Sequence, residues 1–184
     1  MINLDKLQTR IRKFATIKYI TISTVIMLFF AFLLRSDVSY LDGRFVYGSD
    51  VAYKIIDDLG FSGRWTYINV LSLDFGVIVF LAGTQVLIID CLLNKLKCHS
   101  KWVVLYFLPI IRGIFDILEN ASIAILLLNY PKRFYGIATA AGVFTLFKWI
   151  TMTITMAVII LLVVMLIWKT FRGKKNMYES YKQK

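Results

Sequence analysis

Four stretches of predominantly apolar residues, each at least 18 residues long, divide the chain and dictate its class. They run from about Ile17 to Leu34, Val70 to Ile89, Trp102 to Leu128 and Tyr135 to Trp168. A helix of about 20 such residues crosses a hydrocarbon core of roughly 30 Å, and in lipid the backbone must satisfy its own hydrogen bonds. The chain has 184 residues, 59% of them hydrophobic, and a mean hydropathy of +0.70. That exceeds the apolar surface a soluble domain of this length can bury. The expected fold class is therefore all-α: a polytopic membrane protein with four transmembrane helices. Residues 1–184 form one transmembrane domain, with a partly helical outer loop between the first and second spans.

The formal net charge of +11 takes its meaning from where the basic residues fall. Lys6, Arg10, Arg12, Lys13 and Lys18 open the first span; Lys95, Lys97 and Lys101 fill the second connection; Lys169, Arg172, Lys174, Lys175, Lys182 and Lys184 occupy the tail. The first connection has Arg35, Arg44, Lys54 and Arg64, and the third only Lys132 and Arg133. The positive-inside rule then places both termini in the cytoplasm of a multi-pass protein of the cell membrane. The charge is a topology signal and an attraction to membrane lipids, and no nucleic-acid partner is expected. Arg35-Ser36-Asp37 follows the first span without a small-residue cleavage pattern, so that span reads as a retained anchor. Cys91 and Cys98 fall on the cytoplasmic side, where thiols stay reduced.

The first connection is long enough to carry structure. Ser49-Asp50 predicts a helix N-cap, Val51, Ile55 and Leu59 share one face, and Gly60 suits a left-handed helix end. The resulting amphipathic helix is expected to act as a lid or interface anchor. Phe61, Arg64, Trp65 and Tyr67 then sit at head-group depth. In the spans, Gly76, Ala82 and Gly83, and a second stripe of Gly136, Ala138, Ala140, Ala141 and Gly142, suit close helix packing. Pro109 predicts a kink in the third span unless a neighbour repairs the ladder. Asn129-Tyr130-Pro131 makes the outer turn before the fourth.

Ionisable residues inside spans are the candidates for chemistry. Arg112, Asp116, Glu119 and Asn120 are spaced i, i+4, i+7 and i+8, so the first three lie within roughly 60° of one helix face. Asp74 is expected at similar depth on the second span, and Lys148 is the one charge inside the fourth. An ionised group at the bilayer centre costs about 2.5–3.5 kcal/mol, so these residues should face one another. Two cations face three carboxylates, and in a site closed to water that imbalance favours one acid keeping its proton. Asp116, Glu119 and Asp74 are the candidate catalytic acids; Arg64, Tyr67, Arg112, Asn120 and Lys148 are candidate ligand contacts. The competing reading is a polar stripe that only locks helices together.

Other chemistries lack their motifs. The chain has no phosphate-binding glycine loop, no HExxH and no GxSxG turn. Cys91, Cys98 and His99 have no fourth ligand at metal spacing, so no metal and no cofactor is expected.

The elements Leu59-Gly60-x-x-Gly63-Arg64-x-x-Tyr67, Asp74, Leu108-Pro109, Asp116-x-x-Glu119-Asn120, Tyr130-Pro131 and Lys148 together resemble a bacterial family of small four-helix integral membrane proteins. The resemblance covers roughly residues 50 to 150. It implies the four-helix fold and no activity. Arg112 lies outside the pattern, and the second span lacks the proline that the pattern has soon after Asp74.

Three functions remain open at this level. The first is a protein that binds or acts on a lipid-like or isoprenoid molecule entering from the outer leaflet, with Arg64 meeting an anionic head and the acids handling protons. The second is a proton-coupled carrier with Pro109 breaking a helix, against which stands the lack of an inverted repeat. The third is an accessory or assembly subunit. Whether the chain is an enzyme, and its oligomeric state, stay undecided in the sequence.

Overall fold

The computed structural model describes residues 4–34, 41 and 43–182; Arg35-Ser36-Asp37 and Lys184 lie outside them. The described chain is helical, with no strand among the described residues. In order come α1 (Leu4–Arg12), α2 (Ile17–Leu33), α3 (Ser49–Asp58), α4 (Gly60–Leu96), a 3₁₀ segment (Ser100–Tyr106), α5 (Phe107–Leu128) and α6 (Tyr135–Lys182). Two helices, α4 and α6, are long and apolar enough to cross a membrane. The α1–α2 pair, bent by 78°, adds a third candidate if taken as one span. At 22 residues α5 is long enough, at about 33 Å, but it carries Arg112, Asp116 and Glu119 close together.

Helices α4, α5 and α6 pack on one another, α2 lies along α4, and α3 rests on α6 and α4. Two apolar clusters close the bundle. At the end bearing the α5–α6 turn, Tyr53, Ile56, Tyr67, Leu71, Ile123 and Leu126 are buried together with Ala138 and Ala141 of the small-residue stripe. At the other end Ile89, Leu93, Val103, Tyr106 and Leu162 form the second, with Leu7 and Ile11 of α1 packed against it. Arg112, Asp116 and Glu119 of α5 and Lys148 of α6 fall between these clusters along the chain.

Local expectations meet several corrections. The N-cap of α3 is Gly48, in extended conformation, and Ser49 and Asp50 are its first helical residues, with no side-chain cap bond. The buried face of α3 is Ala52, Tyr53 and Ile56, one residue round from the expected stripe, while Val51 is 37% exposed. The rotation follows from tyrosine anchoring: Tyr53 Oη accepts the Phe134 N–H at the α5–α6 turn, and its ring meets Tyr135 edge-on at 5.5 Å. Gly60 is left-handed, φ +61°, and with Leu59 before it separates α3 from the body of α4. Helix α4 therefore begins at Gly60, and the Phe61–Tyr67 segment is its first two turns and not a separate interfacial stretch.

Pro109 does not kink the third element. It occupies the third residue of α5, where no intrahelical donor is required, and the preceding turn is 3₁₀. The expected helix from Trp102 is thus α-helical only from Phe107. Close packing uses two glycines in particular. At Gly76 an added Cβ would lie 2.6 Å from the Phe30 ring of α2, and at Gly142 it would strike the Tyr47 carbonyl.

Candidate functional site

Helix α5 presents Arg112, Asp116, Glu119 and Asn120 on one buried face because their spacing stacks them over two turns. Arg112 Nη2 lies 2.5 Å from Asp116 Oδ2, an i, i+4 pair within the helix. From α6, Lys148 Nζ reaches Asp116 Oδ1 at 3.3 Å and Glu119 Oε2 at 2.5 Å. Thr145, one turn before Lys148, donates to Glu119 Oε1 at 2.6 Å and also to the Ala141 carbonyl at 2.9 Å. From α4, Asp74 Oδ2 accepts from Asn120 Nδ2 at 2.8 Å. Five ionisable groups from three helices thus form one layer across the bundle.

A cavity of about 190 Å³ opens onto this layer, lined by Asp74, Arg112, Asp116, Lys148, Trp149 and Met152. Glu119 is fully buried and does not line it; Lys148 and Thr145 already serve both its oxygens. Asn120 sits beside Asp74, its Oδ1 buried and without a hydrogen-bond partner. Arg112 is 8% exposed, and its Nε and Nη1 are buried with no hydrogen-bond partner. Leaving a buried donor unsatisfied costs about 1–3 kcal/mol, and more for a charged group. On a residue that lines a cavity, such atoms call for a partner, and an acceptor held in the cavity is one.

The rim is built by residues the sequence did not single out. Trp149 Nε1 donates to the Arg44 carbonyl at 3.0 Å, and Phe45 stacks on the indole at 6.0 Å. The 43–47 segment is thereby held over the α6 side of the cavity. Met152 Sδ accepts from Gln85 Nε2 of α4 at 3.7 Å. Thr145 and Met152 had a readable signal, since they lie at i−3 and i+4 from Lys148 on the face of α6 turned to α5. Arg44 and Phe45 had none, because loop contacts follow no period.

Two candidates lie elsewhere. Tyr67 is fully buried in the cluster at the α5–α6 turn, where its hydroxyl accepts the Leu41 N–H at 2.9 Å. It holds the first connection and does not face the cavity. Arg64 is half-buried, its guanidinium 4.1 Å from the centre of the Tyr130 ring, beside a separate pocket of about 140 Å³ lined also by Trp65 and Leu127.

A second buried polar group stands at the opposite end. Asp90 is fully buried; Tyr106 donates to its Oδ1 at 2.5 Å, and Arg12 of α1 approaches the same oxygen at 3.9 Å. The sequence carried a signal, a lone acid between Ile89 and Cys91-Leu92-Leu93, but it fell one residue past the expected end of the second span. Cys91 and Cys98 are free thiols. His99 Nδ1 accepts the Lys101 N–H at 3.2 Å as the cap of the 3₁₀ segment. Among the described residues no His, Cys, Asp or Glu group has metal-site geometry. Comparison with protein families, with curated proteins and with solved structures found no match to this chain.

Proposed function

We propose that this chain is a four-span protein of the cell membrane, both termini cytoplasmic, whose buried cavity binds the polar group of a lipid-like or isoprenoid molecule. The observation that carries the reading is Arg112, whose two nitrogens Nε and Nη1 are buried without a hydrogen-bond partner, on a residue lining a cavity shared with Asp74. The ligand chemistry follows from the charge count. Arg112 and Lys148 bring two positive charges against three carboxylates, Asp74, Asp116 and Glu119, so a further bare anion meets net repulsion. A hydroxyl suits the cavity better, because its oxygen accepts from Arg112 while its O–H donates a hydrogen bond to a carboxylate such as Asp74. Asp116 stands on the same wall and is the acid placed to exchange a proton with that group if the ligand is transformed as well as bound. Arg64, in its separate pocket, is placed to contact the remainder of a head group at the outer interface.

The four-span topology is supported by the charge distribution and by the polar face of α5, which is turned inward against α4 and α6, where lipid does not meet it.

The test is direct. The protein is purified in mild detergent, its bound lipid is read by native mass spectrometry, and thermal shifts are measured with dioleoylglycerol, farnesol and, as the anionic control, dioleoylphosphatidic acid. The proposal expects a rise in melting temperature with a hydroxyl-terminated probe, lost in Arg112→Gln and in Asp74→Asn. A wild-type protein that is empty and indifferent to both hydroxyl probes overturns it.

One observation favours a second reading, an accessory subunit with a purely structural network: Glu119 is sealed and fully engaged by Lys148 and Thr145. Under that reading Arg112→Gln and Asp74→Asn change stability alone, and no probe shifts the wild type.

A further inference from the structure

An apolar groove of about 480 Å³ runs along the outside of the bundle, at a distance along α4 from the polar cavity. Its walls are Ile11 and Phe14 at the α1–α2 elbow, Val79, Gly83 and Leu87 on α4, and Ile110 on α5. Phe14, Val79 and Ile110 are 54%, 49% and 44% exposed. In its wall, Ser23 of α2 accepts from Thr84 Oγ1 at 2.7 Å and donates to the Phe80 carbonyl at 3.3 Å. These bonds join α2 to α4 and fix the wall, so the groove is a formed surface. Gly83 is open within it: a Cβ added there meets no atom within 4 Å.

Three features determine the occupant. The groove spans Val79 to Leu87, about 12 Å of helix rise, close to the roughly 15 Å depth of one leaflet's hydrocarbon. Its lining is almost wholly apolar, which suits an alkyl chain and leaves a polar segment unpartnered. At its mouth the chain turns by 78°, and the elbow residues Ile11 and Phe14 alternate with Arg10, Arg12 and Lys13. Arg12 is turned to Asp90, whereas Arg10 and Lys13 are exposed. Helix α1 has its apolar Leu7 and Ile11 on the bundle and its basic side outward. In the topology proposed above, this places guanidinium and ammonium groups at the depth of cytoplasmic head groups, each attracting an anionic lipid by about 1 kcal/mol.

We infer that this groove is a binding site for one anionic phospholipid of the cytoplasmic leaflet, an acyl chain lying along α4 over Gly83 and the phosphate between Arg10 and Lys13. The site is separate from the Arg112 cavity in place and in chemistry, since it reads an alkyl chain and an anion and not a hydroxyl.

Gly83 provides the decisive variant. Gly83→Leu places a side chain in the groove from a position whose Cβ meets no atom within 4 Å, and leucine is the better helix former. Wild type, Gly83→Leu, Arg10→Gln/Lys13→Gln and Arg112→Gln are reconstituted in vesicles of equal phosphatidylglycerol and phosphatidylcholine, extracted gently, and the retained lipid is counted by native mass spectrometry. The expected result is one phosphatidylglycerol retained on wild type in preference to phosphatidylcholine by about tenfold or more. Gly83→Leu loses that lipid, and Arg10→Gln/Lys13→Gln keeps a lipid without head-group preference. Arg112→Gln retains phosphatidylglycerol as wild type does, so failure of the cavity reading leaves this one standing. Equal retention of both lipids on wild type, or undiminished phosphatidylglycerol on Gly83→Leu, overturns the inference. Should Gly83→Leu melt lower than wild type in lipid-free detergent, Val79→Trp fills the same groove from an exposed position and decides the question on the same criteria.

Discussion

Lys148 Nζ lies 2.5 Å from Glu119 Oε2, and the same ammonium reaches Asp116 at 3.3 Å, so one cation of α6 holds two carboxylates one turn apart on α5. This contact fastens α6 to α5 through side chains that are all buried.

Removing that cation strands two buried carboxylates. Lys148→Met is expected to destabilise by about 3–5 kcal/mol, the usual cost of breaking one side of a buried pair. Adding Glu119→Gln to Lys148→Met should recover part of the loss, giving a coupling energy above about 1 kcal/mol in a double-mutant cycle. Thermal unfolding in detergent measures both, and strictly additive losses would show that the contact contributes nothing specific. The exposed Arg133–Asp57 pair, 2.8 Å apart at the α5–α6 turn, is the internal control: Asp57→Asn should leave the melting temperature unchanged.

The two close-packing glycines should respond differently to the same substitution. In Gly142→Ala the new methyl meets the Tyr47 backbone carbonyl, which cannot yield without moving the loop. A loss of about 1–3 kcal/mol is expected, as for overpacking elsewhere. In Gly76→Ala it meets the Phe30 ring at 2.6 Å, a side chain able to swing away, and the gain in helix propensity offsets part of the cost. Melting temperatures should fall further for Gly142→Ala; the reverse order would mean that the 47–48 backbone yields more easily than Phe30.

Trp149 ties the 43–47 segment to the cavity rim. Trp149→Phe keeps an aromatic surface for Phe45 but removes the hydrogen bond to the Arg44 carbonyl, a loss of about 0.5–1.5 kcal/mol. Hydrogen exchange of the 43–47 amides should accelerate while exchange in α5 stays as in wild type. Unchanged exchange at 43–47 would show that the stacking alone holds the loop.

Sidedness is open to a simple assay. Reporter fusions within residues 1 to 15, 95 to 101 and 173 to 184 should report the cytoplasm, and fusions within 43 to 60 the outside. An external signal from the tail would invert the proposed orientation and place the Arg10–Lys13 elbow in the other leaflet.

Much of this protein is written in its sequence, and the reason is periodicity. The helical class follows from apolar stretches of 18 residues or more, the length of a spanning helix and about twice that of a spanning strand. The polar face of α5 follows from the i, i+4, i+7 spacing of Arg112, Asp116 and Glu119, and the left-handed turn at Gly60 from the freedom of a residue without a Cβ. What no periodicity encodes is how one helix is rotated against the next. The cost of a charge in lipid led to the expectation that Lys148 meets the acids, but no spacing within α6 says which carboxylates; the packing of α6 on α5, through Ala138, Ala141 and Thr145, brought it to Asp116 and Glu119. Tyr53 set the rotation of α3 through a contact 81 residues away in the chain, and a still longer separation of 105 residues hid the Trp149–Arg44 bond. Local spacing fixes which residues share a face of a helix; only the tertiary structure decides what that face meets, because the meeting depends on volumes and hydrogen bonds supplied by other helices.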